Sequence, residues 1–155
     1  MKVIFLDIDG VLNSFKYDLH RGEGEGNIDI TRMPLLKRIV DKTGALIVLS
    51  SSWRKYWEKE DNFDPIGAEL DAVFGRFGLE IYDKTPFLQI GSRAHEIMSW
   101  LEQHENEVDA FVVIDDAFGG WGAITSNVVR TDARIGFGLM GTHVDKAIEI
   151  LNRAR

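Results

Sequence analysis

The sequence predicts an α/β fold built on a mainly parallel sheet, and three observations lead there. First, Val3-Ile4-Phe5-Leu6, Ala45-Leu46-Ile47-Val48-Leu49 and Ala110-Phe111-Val112-Val113-Ile114 are continuous apolar, β-favouring runs. That is the pattern of strands buried on both faces. Second, the segments between them carry helical periodicity, as right-handed crossovers between parallel strands require. Third, each run stops abruptly at polar residues: Asp7-Ile8-Asp9-Gly10, Ser50-Ser51-Ser52 and Asp115-Asp116.

In chain order, Val3–Leu6 is the first strand. Residues 14–30 are polar and Gly-rich and read as a loop or small flap. Thr31 to Lys42 reads as a helix with Met33, Leu36 and Val40 at helical spacing, Pro34 in its first turn and Gly44 just past its end. Ala45–Leu49 is the second strand. Trp53 to Asp61 is a mixed-charge helical piece, Ile66 to Phe77 a further short helix, and Leu79 to Tyr82 a short strand. Ser92 suits the N-cap of a helix from Arg93 to about Glu105, with Ile97, Met98 and Leu101 as its apolar stripe. Ala110–Ile114 is the third buried strand and Asn127–Arg130 the fourth. Thr142 and Asp145 have capping-box spacing before a last helix, in which Val144, Ala147, Ile148 and Leu151 face inward.

The length, 155 residues, suits one domain spanning 1–155, and no linker divides it. Apolar residues at 45% and charged residues at 28% argue against disorder. The 18 basic and 25 acidic residues leave a net charge of −7, which does not support general nucleic-acid binding but permits a local basic patch. With no cysteine, disulfides, cysteine-ligated zinc, iron–sulfur clusters and thiol nucleophiles are excluded. His20, His95, His104 and His143 lack the spacing of a zinc motif. The apolar run at the N-terminus is shorter than the roughly 7–15 residues of a signal peptide, so a cytoplasmic location is expected.

In an open α/β sheet, ligands bind outside the carboxyl ends of the strands. Asp7, Asp9 and Asp116 then form a hard oxygen cluster. Carboxylates this close raise one another's pKa, and a divalent cation relieves the repulsion. An oxygen-only set favours Mg²⁺ over zinc. Taken singly, Asp-x-Asp-Gly suits a turn, Ser-Ser-Ser a helix cap and Asp-Asp another cap. A calcium loop counted from Asp7 fails, because its Gly and Glu positions fall on Leu12 and Asp18. Polar residues of these types at three strand ends together favour a site.

Asp7-Ile8-Asp9-Gly10-Val11-Leu12 resembles the first motif of the haloacid dehalogenase-like (HAD) superfamily of phosphohydrolases. Ser50 after its apolar strand resembles the second motif, and Asp115-Asp116 the acidic fourth. The third is a Lys or Arg near the start of the preceding helix. Arg93 fits it, and Lys84, upstream near Pro86, is its rival. The finer pattern is similar to the HAD domain of Swiss Army knife RNA repair proteins. It comprises Ser50-Ser51-Ser52-Trp53-Arg54, Arg93-x-x-Glu96-Ile97-x-x-Trp100-Leu101, Ile114-Asp115-Asp116 and the late Gly138-Leu139. The resemblance implies a Rossmann-like three-layer sandwich. The 42 residues on either side of Ser50, back to Asp7 and on to Arg93, leave no room for a large cap domain.

The resemblance also implies a chemistry: a Mg²⁺-dependent phosphomonoesterase working through an aspartyl-phosphate. Asp7 is then the nucleophile and Asp9 the general acid and base. Asp7, Asp9 (by its backbone carbonyl), Asp115 and Asp116 hold the metal. Ser50 and Arg93 bind the phosphoryl oxygens, and Gly10, Ser51 and Arg54 line the substrate side. An open site suits RNA or DNA ends or nucleotides. Two alternatives stand beside it: a small-metabolite phosphatase, which the −7 charge supports, and a phospho-ligand binding module with little turnover. Arg54, Lys55, Tyr56 and Trp57 suit contact with a nucleic-acid strand by charge and stacking; alternatively Trp53 and Trp57, four apart, are packing positions on one helix face and Lys55 is solvated. Gly22–Gly26 is either a flexible flap or a disordered loop, and Phe118–Gly122 either a mobile wall of the site or a plain turn.

Overall fold

The computed structural model describes residues 1–14, 28–89, 91–134 and 137–153. The expected flap therefore lies largely outside the described residues, as does the Gly22–Gly26 run. Five strands form one sheet: β1 (Lys2–Leu6), β2 (Leu46–Leu49), β3 (Ile81–Lys84), β4 (Ala110–Asp115) and β5 (Val128–Arg130). Their order is β3-β2-β1-β4-β5, and every pairing is parallel. The fold is the expected Rossmann-type sandwich. The three polar strand ends singled out in the sequence belong to β1, β2 and β4, the three adjacent central strands.

Strand alternation divides the core in two. Ile4, Leu6, Ile47, Leu49, Val112 and Ile114 point to one face. There they meet α1 (Met33–Thr43), α2 (Pro65–Arg76) and α4 (Gly141–Arg153). Val3, Phe5, Val48 and Val113 point to the other face and meet α3 (Arg93–Gln103) with the 3₁₀ segment Gly122–Asn127. Burial of central strands on both faces is why they read as unbroken apolar runs. No helix among the described residues is long and apolar enough to cross a membrane.

Several local expectations shift. A 3₁₀ turn, Ile30–Arg32, precedes α1, with Asp29 as its N-cap. The short strand expected at Leu79–Tyr82 is β3, two residues later. Met98 is exposed, and Trp100 takes its place on the buried stripe of α3 beside Ile97. The Thr142 capping box does not form. Instead α4 begins at Gly141, and the Met140 N–H donates to His143 Nδ1 at 2.9 Å.

The largest correction is the helix expected over Trp53–Asp61. Only the 3₁₀ segment Ser52–Tyr56 forms, and Trp57 is already extended. The Lys84 ammonium donates to the carbonyls of Arg54 (3.1 Å) and Trp57 (2.7 Å), groups that a continuing helix would need as acceptors. Trp57 turns inward, 2% exposed, with its indole N–H on Asp71.

Helix α2 presses its Gly67 against this segment. A Cβ there would collide with the Tyr56 carbonyl oxygen and Asn62 Oδ1. Gly67→Ala is therefore expected to cost about 1–3 kcal/mol, as overpacking does. Gly75→Ala on the same helix meets no atom within 4 Å and should stabilise by about 0.4–1 kcal/mol. Urea unfolding of the two variants checks this opposition of sign.

Candidate active site

The sheet ladder continues one residue past the strands and fixes the loops at its carboxyl edge. Asp7 N–H donates to Ile114 O (3.0 Å), Ser50 N–H to Leu6 O (2.9 Å), Thr85 N–H to Leu49 O (2.9 Å) and Thr131 N–H to Asp115 O (2.9 Å). Asp7 and Ser50 thus stand side by side on neighbouring strands, with Asp115 ending the next strand along. Carboxylate oxygens of Asp7, Asp115 and Asp116 all lie within 4.8 Å of one another.

Arg93, first residue of α3, reaches over this cluster. Its Nη1 lies 2.9 Å from Asp115 Oδ2 and 3.2 Å from Asp7 Oδ2. Ser92 caps the helix and sets where Arg93 emerges. Burial opposes the charge on Arg93, but Asp7 and Asp115 outweigh it and hold its pKa above the ordinary value. One cation does not balance three carboxylates. Burial first, and Asp115 next, push the Asp7 pKa up to about 8 despite Arg93. Asp116 is raised in the same way, by burial and Asp115.

The turn after β1 is built for close approach. Gly10 has φ +83°, and a Cβ there would run into the Asp116 carboxylate. Its N–H donates to Asn13 Oδ1 (2.8 Å) and its carbonyl accepts from Thr131 Oγ1 (2.7 Å). The Asp9 carboxylate is exposed and is not one of the clustered three. Asn13 Nδ2 donates to its Oδ1 (2.9 Å) and the Trp53 indole N–H to its Oδ2 (3.0 Å). The Ser50 hydroxyl is fully buried and has no hydrogen-bond partner among the described residues.

A buried carboxylate beside a cation, two further carboxylates, an exposed carboxylate two residues on and a buried hydroxyl without a partner among the described residues form one arrangement at one sheet edge. A family model for the HAD domain in Swiss Army Knife RNA repair proteins matches residues 3–139. The chain belongs to this family. No curated protein and no solved structure matches it significantly. The matched segment of this HAD domain holds every candidate site residue and all five strands but for Lys2, the first residue of β1.

Within the HAD domain, Arg93 and Lys84 part ways. Arg93 faces the carboxylates, whereas Lys84 is engaged by two backbone carbonyls and by Glu58 (2.9 Å). Arg54 is not on the crevice surface where a substrate contact was expected. It is 2% exposed, with Nη2 on Glu96 (2.8 Å) and Nη1 on the Ser51 carbonyl (2.8 Å). Burial lowers its pKa, and Glu96 opposes that. Ser51 is buried too, and its hydroxyl caps the Ser52–Tyr56 turn. Phe118 is 83% exposed, but Trp121 behind it is buried in the second core and anchors that segment.

Sequence reasoning missed Asn13, Thr131 and the role of Trp53. Trp53 packs partly on the core, and its indole N–H also holds Asp9. The signal was its position next to Ser50-Ser51-Ser52. Gly138-Leu139, read only as part of a pattern, docks on the turn after β1 through Leu139 N–H to Val11 O (2.7 Å).

Proposed function

We propose that this HAD domain is a Mg²⁺-dependent phosphomonoesterase acting on nucleic-acid ends or nucleotides. The observation that carries the reading is Asp7. It sits between Arg93 and two further carboxylates, next to a buried Ser50 hydroxyl with no partner among the described residues. The donor set fits a hard divalent ion: oxygen only, and short of positive charge by the measure of Asp7's raised pKa. Asp7, Asp115 and Asp116, with the Asp9 backbone carbonyl, are the residues that would hold it. The ion supplies the charge that lets these carboxylates accept a phosphate beside them.

In the first step an Asp7 carboxylate oxygen bonds to phosphorus as the bond to the leaving oxygen breaks. Asp9, as general acid, gives a proton to that oxygen. In the second step Asp9 takes a proton from the water that attacks phosphorus, and Asp7 is released with inorganic phosphate. Ser50 donates to a phosphoryl oxygen, and Arg93 neutralises charge on the others. Gly10 lets the backbone come close. Arg54 and Ser51 act through position, by holding the turn after Ser50.

Phosphate release with Mg²⁺ or with EDTA tests the reading. The panel holds 5′- and 3′-phosphorylated RNA and DNA oligonucleotides, mononucleotides, sugar phosphates and p-nitrophenyl phosphate. Release that needs Mg²⁺ and favours the nucleotide substrates is expected. Sugar phosphates as best substrates would favour a metabolite phosphatase, in keeping with the −7 charge. No release from any substrate would favour a binding module.

Trp53→Phe isolates the hold on Asp9, since it keeps a ring and removes the N–H. The kcat/KM for alcohol leaving groups, which leaves out the shared hydrolysis step where Asp9 is the base, should fall about tenfold, less than the 10²–10⁴ that a general acid supplies. With p-nitrophenolate, which leaves without a proton, the loss should be slight. Equal losses on both would assign Trp53 to packing.

A further inference from the structure

A chain of net charge −7 exerts little general pull on a polyanion, so a nucleotide held here needs recognition that does not rest on charge. We propose that Phe87 is a stacking platform for the nucleobase adjoining the phosphate bound at this site. The inference rests on the phosphomonoester reading and names the group beyond the phosphate.

Phe87 is 56% exposed, three residues beyond the end of β3. A lone exposed apolar side chain means little. This one is fixed on three sides. On the N-terminal side, Thr85 N–H is bonded to Leu49 O, immediately before Ser50. On the C-terminal side, Leu88 N–H donates to Glu96 Oε2 at 3.1 Å. Beneath the ring, the Arg54 guanidinium carbon lies 3.7 Å from its centroid. That guanidinium is itself held by Glu96 and the Ser51 carbonyl. One ring face is thus covered by a buried cation, and a ring more than half exposed has its other face open to solvent.

The platform is also close to the chemistry. Two residues of chain span at most about 7 Å, and Thr85 is paired beside the residue preceding Ser50. Asp7 and Arg93 are near enough to act on the charge of Arg54. An open aromatic face, pre-organised next to a phosphate pocket, suits a planar base that is free of its own stack. The occupant is a nucleobase, from the end of a single strand or from a free mononucleotide. A blunt duplex end keeps its base stacked on its neighbours.

The test compares wild type, Phe87→Leu and Phe87→Trp in Mg²⁺. The substrates are a single-stranded oligonucleotide with one terminal phosphate, the same strand with an abasic terminal residue, and the mononucleotide. Phe87→Leu should lower kcat/KM about tenfold on base-bearing substrates, mainly through KM, and leave the abasic strand within about twofold. Phe87→Trp should restore it. A loss shared by strand and mononucleotide assigns the contact to the terminal base alone, and a loss on the strand alone assigns it to strand ends. Equal loss on abasic and base-bearing strands, or none on either, overturns the proposal. The Phe87 ring proton resonances, assigned by difference with Phe87→Leu, give a readout without turnover. They should move upfield with the base-bearing strand and stay fixed with the abasic one. That shift without any phosphate release would overturn the hydrolase reading and keep the platform. No shift would overturn the platform.

Discussion

Asp7→Asn is expected to abolish Mg²⁺-dependent phosphate release, with a loss on the order of 10⁴–10⁶-fold, the scale of removing a covalent nucleophile. The amide keeps the shape and the place in the ladder, where Asp7 N–H is bonded to Ile114 O. Its oxygen no longer carries the charge that attacks phosphorus. The same substitution should raise the melting temperature of the metal-free chain. Asp7 is 5% exposed, and its carboxylate is crowded by Asp115 and Asp116, with Arg93 and the Ile8 N–H opposed. At neutral pH, below its raised pKa of about 8, folding must put a proton on a carboxyl that is ionised in the unfolded chain, and an amide removes this cost. About 1 kcal/mol moves the midpoint of a chain this size by roughly 2–4 °C, so a rise of several degrees is expected. Mg²⁺, which should raise the wild-type midpoint by binding the folded form, should do so less in the variant. Loss of activity with a higher midpoint is the signature of a group kept for chemistry at a cost in stability. Turnover unchanged in Asp7→Asn would show that the nucleophile is another group. An unchanged midpoint in both proteins on adding Mg²⁺ would show that the acidic cluster is not a metal site.

What the sequence made legible, and what it did not, follows from the range of the forces involved. Strands buried on both faces leave continuous apolar runs, so β1, β2 and β4 were readable from Val3–Leu6, Ala45–Leu49 and Ala110–Ile114. Residues just past such runs sit at the carboxyl edge whatever the strand order, so Asp7, Ser50, Asp115 and Asp116 could be named as a group. The structure brings Asp7, Asp115 and Asp116 together. Partner choice between distant side chains is set by which strands become neighbours, and no local pattern encodes it. Arg54 and Glu96 both lay in recognised strings, yet only the β3–β2 pairing and the course of the chain from β3 into α3 make them a pair. The Trp53–Asp61 stretch misled for the same reason. Its charge pattern suits a helix, but Lys84 from the neighbouring strand takes the carbonyls of Arg54 and Trp57. Once the segment is 3₁₀ at Ser52–Tyr56, Trp53 and Trp57 no longer share a face, and one turns to Asp9 while the other turns to Asp71.

The Arg54–Glu96 pair supports the second large effect. Its side chains are 2% and 11% exposed, and the contact is 2.8 Å. Glu96→Ala leaves a guanidinium buried without its counter-charge, and breaking such a pair costs about 3–5 kcal/mol. Against a total of roughly 5–15 kcal/mol for a domain, that is a large share, and urea unfolding should show it directly. Glu96→Gln, which keeps an acceptor, should cost less. Stability alone does not explain the pair, since well-packed apolar residues often replace a buried ion pair without loss. The double variant Arg54→Met/Glu96→Leu should therefore recover most of the stability lost in Glu96→Ala. Activity on nucleotide substrates should stay low in the double variant. Arg54 tethers the Ser51 carbonyl, next to Ser50, and supports the Phe87 ring, while Glu96 holds the Leu88 N–H. Methionine and leucine do none of these. Recovery of both stability and activity in the double variant would make the pair purely structural. A Glu96→Ala protein as stable as wild type would mean that Arg54 reaches solvent or another anion. Stability restored without activity would place the pair between fold and function, as the brace that aims the second and third strand ends at the phosphate.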